Sequence, residues 1–136
     1  MLNNSCEIMG VLNITPDSFY DGKYLSKSYL QKKFQNLESS DIIDIGAESI
    51  RPGAKPLPEK EELRRVEEFI SLNLTHKKLS IDSYKSKVIE YCLINGFNMI
   101  NDISGGGKNF ENIDLSKEYD VPIVIMHMQG NPLGMQ

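Results

Sequence analysis

Five short runs rich in aliphatic and β-branched residues recur along the chain: EIMGVLN at 7 to 13, DIIDIG at 41 to 46, KLSID at 78 to 82, NMIND at 98 to 102 and PIVIMH at 122 to 127. Near-continuous hydrophobicity over so few residues is expected of strands covered on both faces, as in parallel sheets. Between the runs, apolar residues fall at helical spacing. Leu30, Phe34 and Leu37 form one stripe, Leu63, Val66 and Ile70 a second, and Val88 and Cys92 beside Ile89 and Leu93 a third. Pro58 before Glu59, Glu61 and Glu62 marks a helix start, since proline suits the first turn and acids favour the positive end of the helix dipole. Asn95 and Gly96 mark a helix end. The segment from Phe110 to Glu118 is shorter and more polar and is read as a fourth helix. Strand, crossover helix and strand, repeated, specify an α/β fold with a parallel sheet, either doubly wound or closed as a (β/α) barrel.

With 136 residues, 40% of them hydrophobic and 25% charged, the chain can bury one core of ordinary size. Fifteen Lys and Arg against nineteen Asp and Glu give a net charge of -4. That balance argues against nucleic-acid or membrane-surface partners, so any anion must be held by a local site. MLNNSCEIMG contains no basic and apolar leader, and no apolar run reaches transmembrane length, so the chain reads as cytoplasmic. Cys6 and Cys92 lie in no C-x-x-C or Cys/His pattern and are expected to be reduced thiols.

The chemistry concentrates where the strands end. NITPDSFYDG, AESIRPGA, DSYK, NDISGGG and HMQGNP follow the five runs, and all carry polar residues. Ligands of parallel α/β folds sit outside the carboxyl ends of the strands, so these loops point to one shared site. Asp82, at the end of KLSID, reads either as an N-cap or as a buried carboxylate facing a nitrogen-rich ring or a developing cation. Asn101 can offer a donor and an acceptor to a heterocycle edge, or can serve a turn with Ser104 and Gly105. Gly105, Gly106 and Gly107 read as a turn rather than an anion nest. Arg51, in the stiff turn RPG, has the planar fork suited to a carboxylate or phosphate, though a surface Arg beside a turn has the same local pattern. Asn13, Thr15, Asp17 and Ser18 share a loop with Pro16 and Phe19. Turn chemistry explains its polar residues but not the aromatic, and its oxygens suit Mg²⁺ held through water. His127, without a partner at ligand spacing, reads as structural.

MGVLNITPDSFYDG, DIIDIGAESIRPGA, SIDSYK, MINDISGG and MHMQGNP closely resemble, in order and spacing, the motifs of dihydropteroate synthase, over Ile8 to Gln136. The resemblance implies residues 1–136 as the N-terminal portion of a single pterin-binding barrel domain. That is an incomplete TIM-type (β/α)8 barrel of about five strand-helix units, ending after the fifth strand. It further implies a transferase of folate biosynthesis that joins 6-hydroxymethyl-7,8-dihydropterin diphosphate to p-aminobenzoate by a dissociative displacement, with Mg²⁺ as cofactor and a homodimeric full-length form. By position, Asp82 resembles the pterin-binding carboxylate and Asn101 its companion, and these are the expected catalytic residues together with Arg51. Asn13 resembles the Mg²⁺ and diphosphate ligand. Thr15, Pro16, Asp17 and Phe19 match the first loop, Ser49, Arg51 and Pro52 the second, and Met126 a residue lining the pterin pocket. Ala47 and Ile50 depart from the usual G-G-E-S-T-R-P-G, which removes a hydroxyl beside the aminobenzoate site and bears on sulfonamide response.

A complete barrel takes roughly 250 residues, so the 136 alone are expected to be poorly stable and inactive. Two other readings remain: a methyltetrahydrofolate-binding methyltransferase barrel, and a non-catalytic or partner-completed pterin-binding module.

Overall fold

The structure is a computed structural model and describes residues 6–15, 27–48, 56–74, 77–106 and 110–126. Strands and helices alternate: β1 (Met9–Asn13), α1 (Lys27–Asn36), β2 (Ile42–Gly46), α2 (Glu59–Ser71), β3 (Lys78–Asp82), α3 (Ser86–Ile94), β4 (Met99–Asp102), α4 (Glu111–Glu118) and β5 (Ile123–Ile125). All pairings are parallel, and the strand order is β1-β2-β3-β4-β5. A doubly wound sheet needs a reversal in strand order, and there is none among the described strands. Right-handed crossovers between successive neighbours place every helix on one face of the sheet, the arrangement of a partial (β/α) barrel. No helix among the described residues is long and apolar enough to cross a membrane.

The helix boundaries follow local chemistry. Pro58 is the residue before α2, with φ -58°, and Glu59, Glu61 and Glu62 occupy the first turn. The chain leaves α3 through Asn95 and Gly96, the latter at φ +90°, a conformation glycine adopts without strain. Asp82 is not the cap of α3, since Lys85 takes that position with no side-chain cap.

The helix-facing side holds the core. Leu12, Ile45, Ile81 and Ile100 lie in register across four strands and are all buried. Val66, Phe69, Val88, Ile89 and Cys92 pack over them, and Phe34 of α1 stacks on Phe69 at 6.1 Å between ring centroids. Burial pushes the Cys92 thiol pKa up, so this cysteine acts as a small hydrophobe. The expectation that the strands are covered on both faces holds for β2 alone. On the face away from the helices, Val11 is 59% and Val124 43% exposed, because the helices cover only one side.

Polar clamps tie the strands to the connections. Asp41 accepts the Ile8 N–H at 2.8 Å, and the Lys77 ammonium donates to the carbonyls of Glu38 and Ser40. The most buried clamp lies behind β4. Asp102 accepts from the N–H groups of Ser104 (2.6 Å) and Gly106 (2.9 Å) and from Asn112 Nδ2 (2.9 Å). Asn112 also donates to the Tyr84 carbonyl at 3.2 Å and accepts from Ser86 Oγ at 2.8 Å. The Gly106 N–H is therefore committed to a carboxylate and not to an external anion, and Asp102 rather than Asn101 carries the turn chemistry. Asn112→Ala removes one of the two donors to Asp102 Oδ2 and the side-chain donor to the Tyr84 carbonyl. Chemical denaturation at pH 7 is expected to show a loss of about 2–4 kcal/mol; a change below about 0.5 kcal/mol would mean the network is dispensable.

Candidate active site at the strand ends

Register brings the sequence candidates together. Asn13 pairs with Gly46, Gly46 with Asp82, Asp82 with Asn101, and Asn101 with Val124. Residues paired in register between parallel strands point to the same side, so Asn13, Asp82 and Asn101 share the face opposite the helices. Gly46 provides the space between them. A methyl group there would lie 2.8 Å from Asn13 Oδ1 and 3.3 Å from Asp82 Oδ2. Thr15, buried, and Met126, 41% exposed, fall at the same parity just beyond the ends of β1 and β5. The Met126 N–H donates to the Asp102 carbonyl at 3.1 Å.

Pro16, Asp17, Phe19, Ser49, Ile50, Arg51, Pro52 and His127 lie outside the described residues. Ala47 is fully buried in the helix-side core, and its carbonyl accepts from Arg65 Nη1 at 2.9 Å. The methyl group that replaces the usual glycine there is thus directed away from the row of candidates.

Asp44 is a site residue that the sequence reading passed over. It lies two residues before Gly46 on the same face, is 2% exposed, and accepts from Asn101 Nδ2 at 2.8 Å. One amide hydrogen of Asn101 is thereby fixed, which orients the side chain. The other Asp44 oxygen, Oδ1, and Oγ of its register neighbour Ser80 are buried without a hydrogen-bond partner among the described residues. A charge inside the apolar run DIIDIG, at the parity of Gly46, was the available signal.

The electrostatics single out Asp82. Burial, then repulsion from Asp44, Glu62, Glu48 and Asp102, raises its pKa from 3.8 to about 6. A carboxylate held in so acidic a neighbourhood favours a partner that brings N–H donors or positive charge. Beside it, the Lys85 ammonium donates to Glu48 and Glu62. Burial pulls the Lys85 pKa down, but these two carboxylates outweigh burial and raise it, so Lys85 stays charged.

The oxygen donors at this end of the sheet are of the kind that Mg²⁺ takes. Asn13 Oδ1 and Asp82 Oδ2 are hard oxygen donors on either side of the gap that a Cβ at Gly46 would fill. No group of three or more His, Cys, Asp or Glu side chains is gathered for a metal among the described residues. Mg²⁺ commonly takes only one or two protein oxygens and completes its shell with water and substrate phosphates.

Comparison with known proteins gives one answer. The chain is 41% identical over 138 residues to the folic acid synthesis protein fol1 of Schizosaccharomyces pombe, covering 98% of this chain and 19% of that protein. The Xanthomonas albilineans dihydropteroate synthase solved with 4-aminobenzoic acid superimposes with a TM-score of 0.80 at 37% identity, over 93% of this chain and 48% of that one. The Clostridium difficile dihydropteroate synthase solved in the presence of pteroic acid gives 0.80 at 38% identity, over 96% and 52%. The chain therefore spans about a fifth of the first protein's length and about half of each solved synthase chain. The model of the pterin binding enzyme family matches residues 9–136, and on that match, with the fold and relatives in agreement, the chain belongs to this family.

Proposed function

We propose that these residues form the pterin-facing part of a dihydropteroate synthase, a transferase that condenses 6-hydroxymethyl-7,8-dihydropterin diphosphate with p-aminobenzoate. The observation that carries this reading is the register row of Asn13, Gly46, Asp82 and Asn101, backed by Asp44. The solved relatives, one with 4-aminobenzoic acid and one in the presence of pteroic acid, support it. In this reading the pterin lies against the row with its N–H edge toward Asp82 and Asn101. The C–O bond of its hydroxymethyl group breaks, and diphosphate leaves with the electron pair. The aminobenzoate nitrogen then bonds to the methylene carbon and releases a proton. The Asp82 carboxylate, in its acidic neighbourhood, favours the positive charge that develops on the pterin after the leaving group departs.

Asn13 holds the end of the row where the diphosphate would lie. Mg²⁺, when bound there with the diphosphate, neutralises charge on the leaving group. Thr15, Pro16, Asp17 and Phe19 in the first loop and Ser49, Arg51 and Pro52 in the second are assigned to the aminobenzoate site, and Met126 to the pterin pocket. Turnover is assigned to a complete barrel, with these 136 residues alone expected to be inactive. β1 and β5 each have a single strand neighbour among the described residues, and Val11 and Val124 are exposed on the site face.

The raised pKa of Asp82 makes the site a stability liability. Between pH 3.8 and about 6 the folded state keeps a proton that the unfolded chain has released, so stability falls as pH rises through this window and stays reduced above it. Asp82→Asn is expected to raise the melting temperature at pH 7.5 by about 5 °C and to have little effect at pH 4. No gain at pH 7.5 would show that neither burial nor the neighbouring carboxylates burden the Asp82 charge.

The same substitution tests the function. Calorimetric titration with the pterin diphosphate and Mg²⁺ should show Asp82→Asn binding about 10–100-fold more weakly, the range for loss of charged hydrogen bonds. Wild-type affinity should increase with pH through about 6 as the carboxylate ionises. Unchanged affinity in the variant would refute the assignment. Equal affinity for a pterin without the diphosphate would instead favour the methyltetrahydrofolate-type reading.

A further inference from the structure

Asp44 lies beneath the row of site residues rather than in it. Its register neighbours are Val11 and Ser80, one layer below the row. At 2% exposure it is covered, so it is not presented to a ligand resting on Asp82 and Asn101. What it touches is Asn101, whose Nδ2 donates to Asp44 Oδ2 at 2.8 Å.

An asparagine amide is ambiguous by itself, since its oxygen and nitrogen have nearly the same shape and exchange places by a half-turn of the terminal torsion. Asp44 removes that freedom. A carboxylate only accepts, so it must be met by the nitrogen, and the Asn101 oxygen then lies on the side away from it. A half-turn would set two acceptors against each other. It would also take away the one donor that Asp44 has among the described residues, because Asp44 Oδ1 is already without a partner. The adjacent hydroxyl does not relieve this, since Ser80 Oγ is itself buried and makes no hydrogen bond among the described residues.

We infer that Asp44 is a specificity-determining residue that acts through Asn101: by holding the amide nitrogen it fixes which end of Asn101 accepts and which donates, and so selects the order of donors and acceptors on the ring that binds there. With the amide held this way, the Asn101 oxygen and one remaining Nδ2 hydrogen are left for a ligand, beside the Asp82 carboxylate. A 2-amino ring, whose exocyclic amine donates next to a ring nitrogen that accepts, matches a fixed amide in one order. Its 2-oxo isostere, with a carbonyl in place of the amine and an N–H in place of the ring nitrogen, presents the reverse order. The identity of the ring rests on the function proposed above; the orientation of Asn101 does not.

The test uses the natural protein that carries these residues, as wild type, Asp44→Asn and Asp44→Leu. Asparagine keeps the size of the side chain and meets the Asn101 amide either way round, whereas leucine removes every polar partner. Calorimetric titration at pH 7.5, where Asp82 is ionised, compares the pterin diphosphate with its 2-oxo counterpart. The wild type is expected to prefer the 2-amino ring by at least about 100-fold, and both variants to narrow that preference by about tenfold. Loss of the Asp44 charge or a general loosening of the packing would change both affinities alike and leave their ratio. In NMR spectra of the ligand-free protein, one of the two Asn101 Nδ2 hydrogens is expected to resonate downfield in the wild type and to lose that shift in Asp44→Leu. The same resonance in both proteins overturns the fixed orientation. A wild type without preference, or a folded variant that keeps the full preference, overturns the selectivity. A wild type that binds neither ring would defeat the proposed function, and the NMR signal would then decide the orientation by itself.

Discussion

In-register parallel pairing of neighbouring strands is the constraint on which the site depends. A shift of one residue in any pairing would turn that strand's contribution toward the helices. The present register holds because Leu12, Ile45, Ile81 and Ile100 occupy the opposite face in the same way and are buried under the helices. The apolar row selects the register, and the polar row inherits it. Asn13, Asp82 and Asn101 converge although nothing in their own contacts would specify strand order.

The carboxyl ends of the strands are organised around negative charge. Asp44, Asp82, Asp102, Glu48 and Glu62 lie close enough that the other four all raise the Asp82 pKa. Those four are met by three devices. Asn101 donates to Asp44, backbone amides and Asn112 donate to Asp102, and Lys85 serves both glutamates. Asp82 has burial and repulsion as its resolved influences, and that is the condition of a group whose complement arrives with a ligand. Asp44 Oδ1 and Ser80 Oγ, buried and unpartnered among the described residues, extend the same unsatisfied character one layer deeper.

Much of this was legible in the sequence, in proportion to how local each signal is. The five apolar runs, the start of α2 at Pro58 and the end of α3 at Gly96 depend on neighbouring residues and were read correctly. Coverage of both strand faces was misread, because aliphatic residues such as Val11 and Val124 look the same in sequence whichever side the helices take. The N-cap alternative for Asp82 failed for a similar reason: a carboxylate ahead of a helix reads alike three residues before the cap and at it. Asp44 and Lys85 were missed because their partners, Asn101 and Glu48, are 57 and 37 residues away and meet only through the sheet.

Glycine at position 46 shows how the packing constraint becomes a chemical one. It lies between Asn13 and Asp82 in the register row, where any side chain would press on both oxygens. Its neighbour Ala47 points the opposite way and fills the core. The backbone thus alternates between a position that must stay empty and one that must be filled. The empty one separates a neutral oxygen that suits a hydrated cation from a carboxylate that suits a ring bearing N–H donors. Bringing those two chemistries to either side of one Cα requires β1, β2 and β3 to be adjacent and in register, so the sequential strand order is itself a condition of the site.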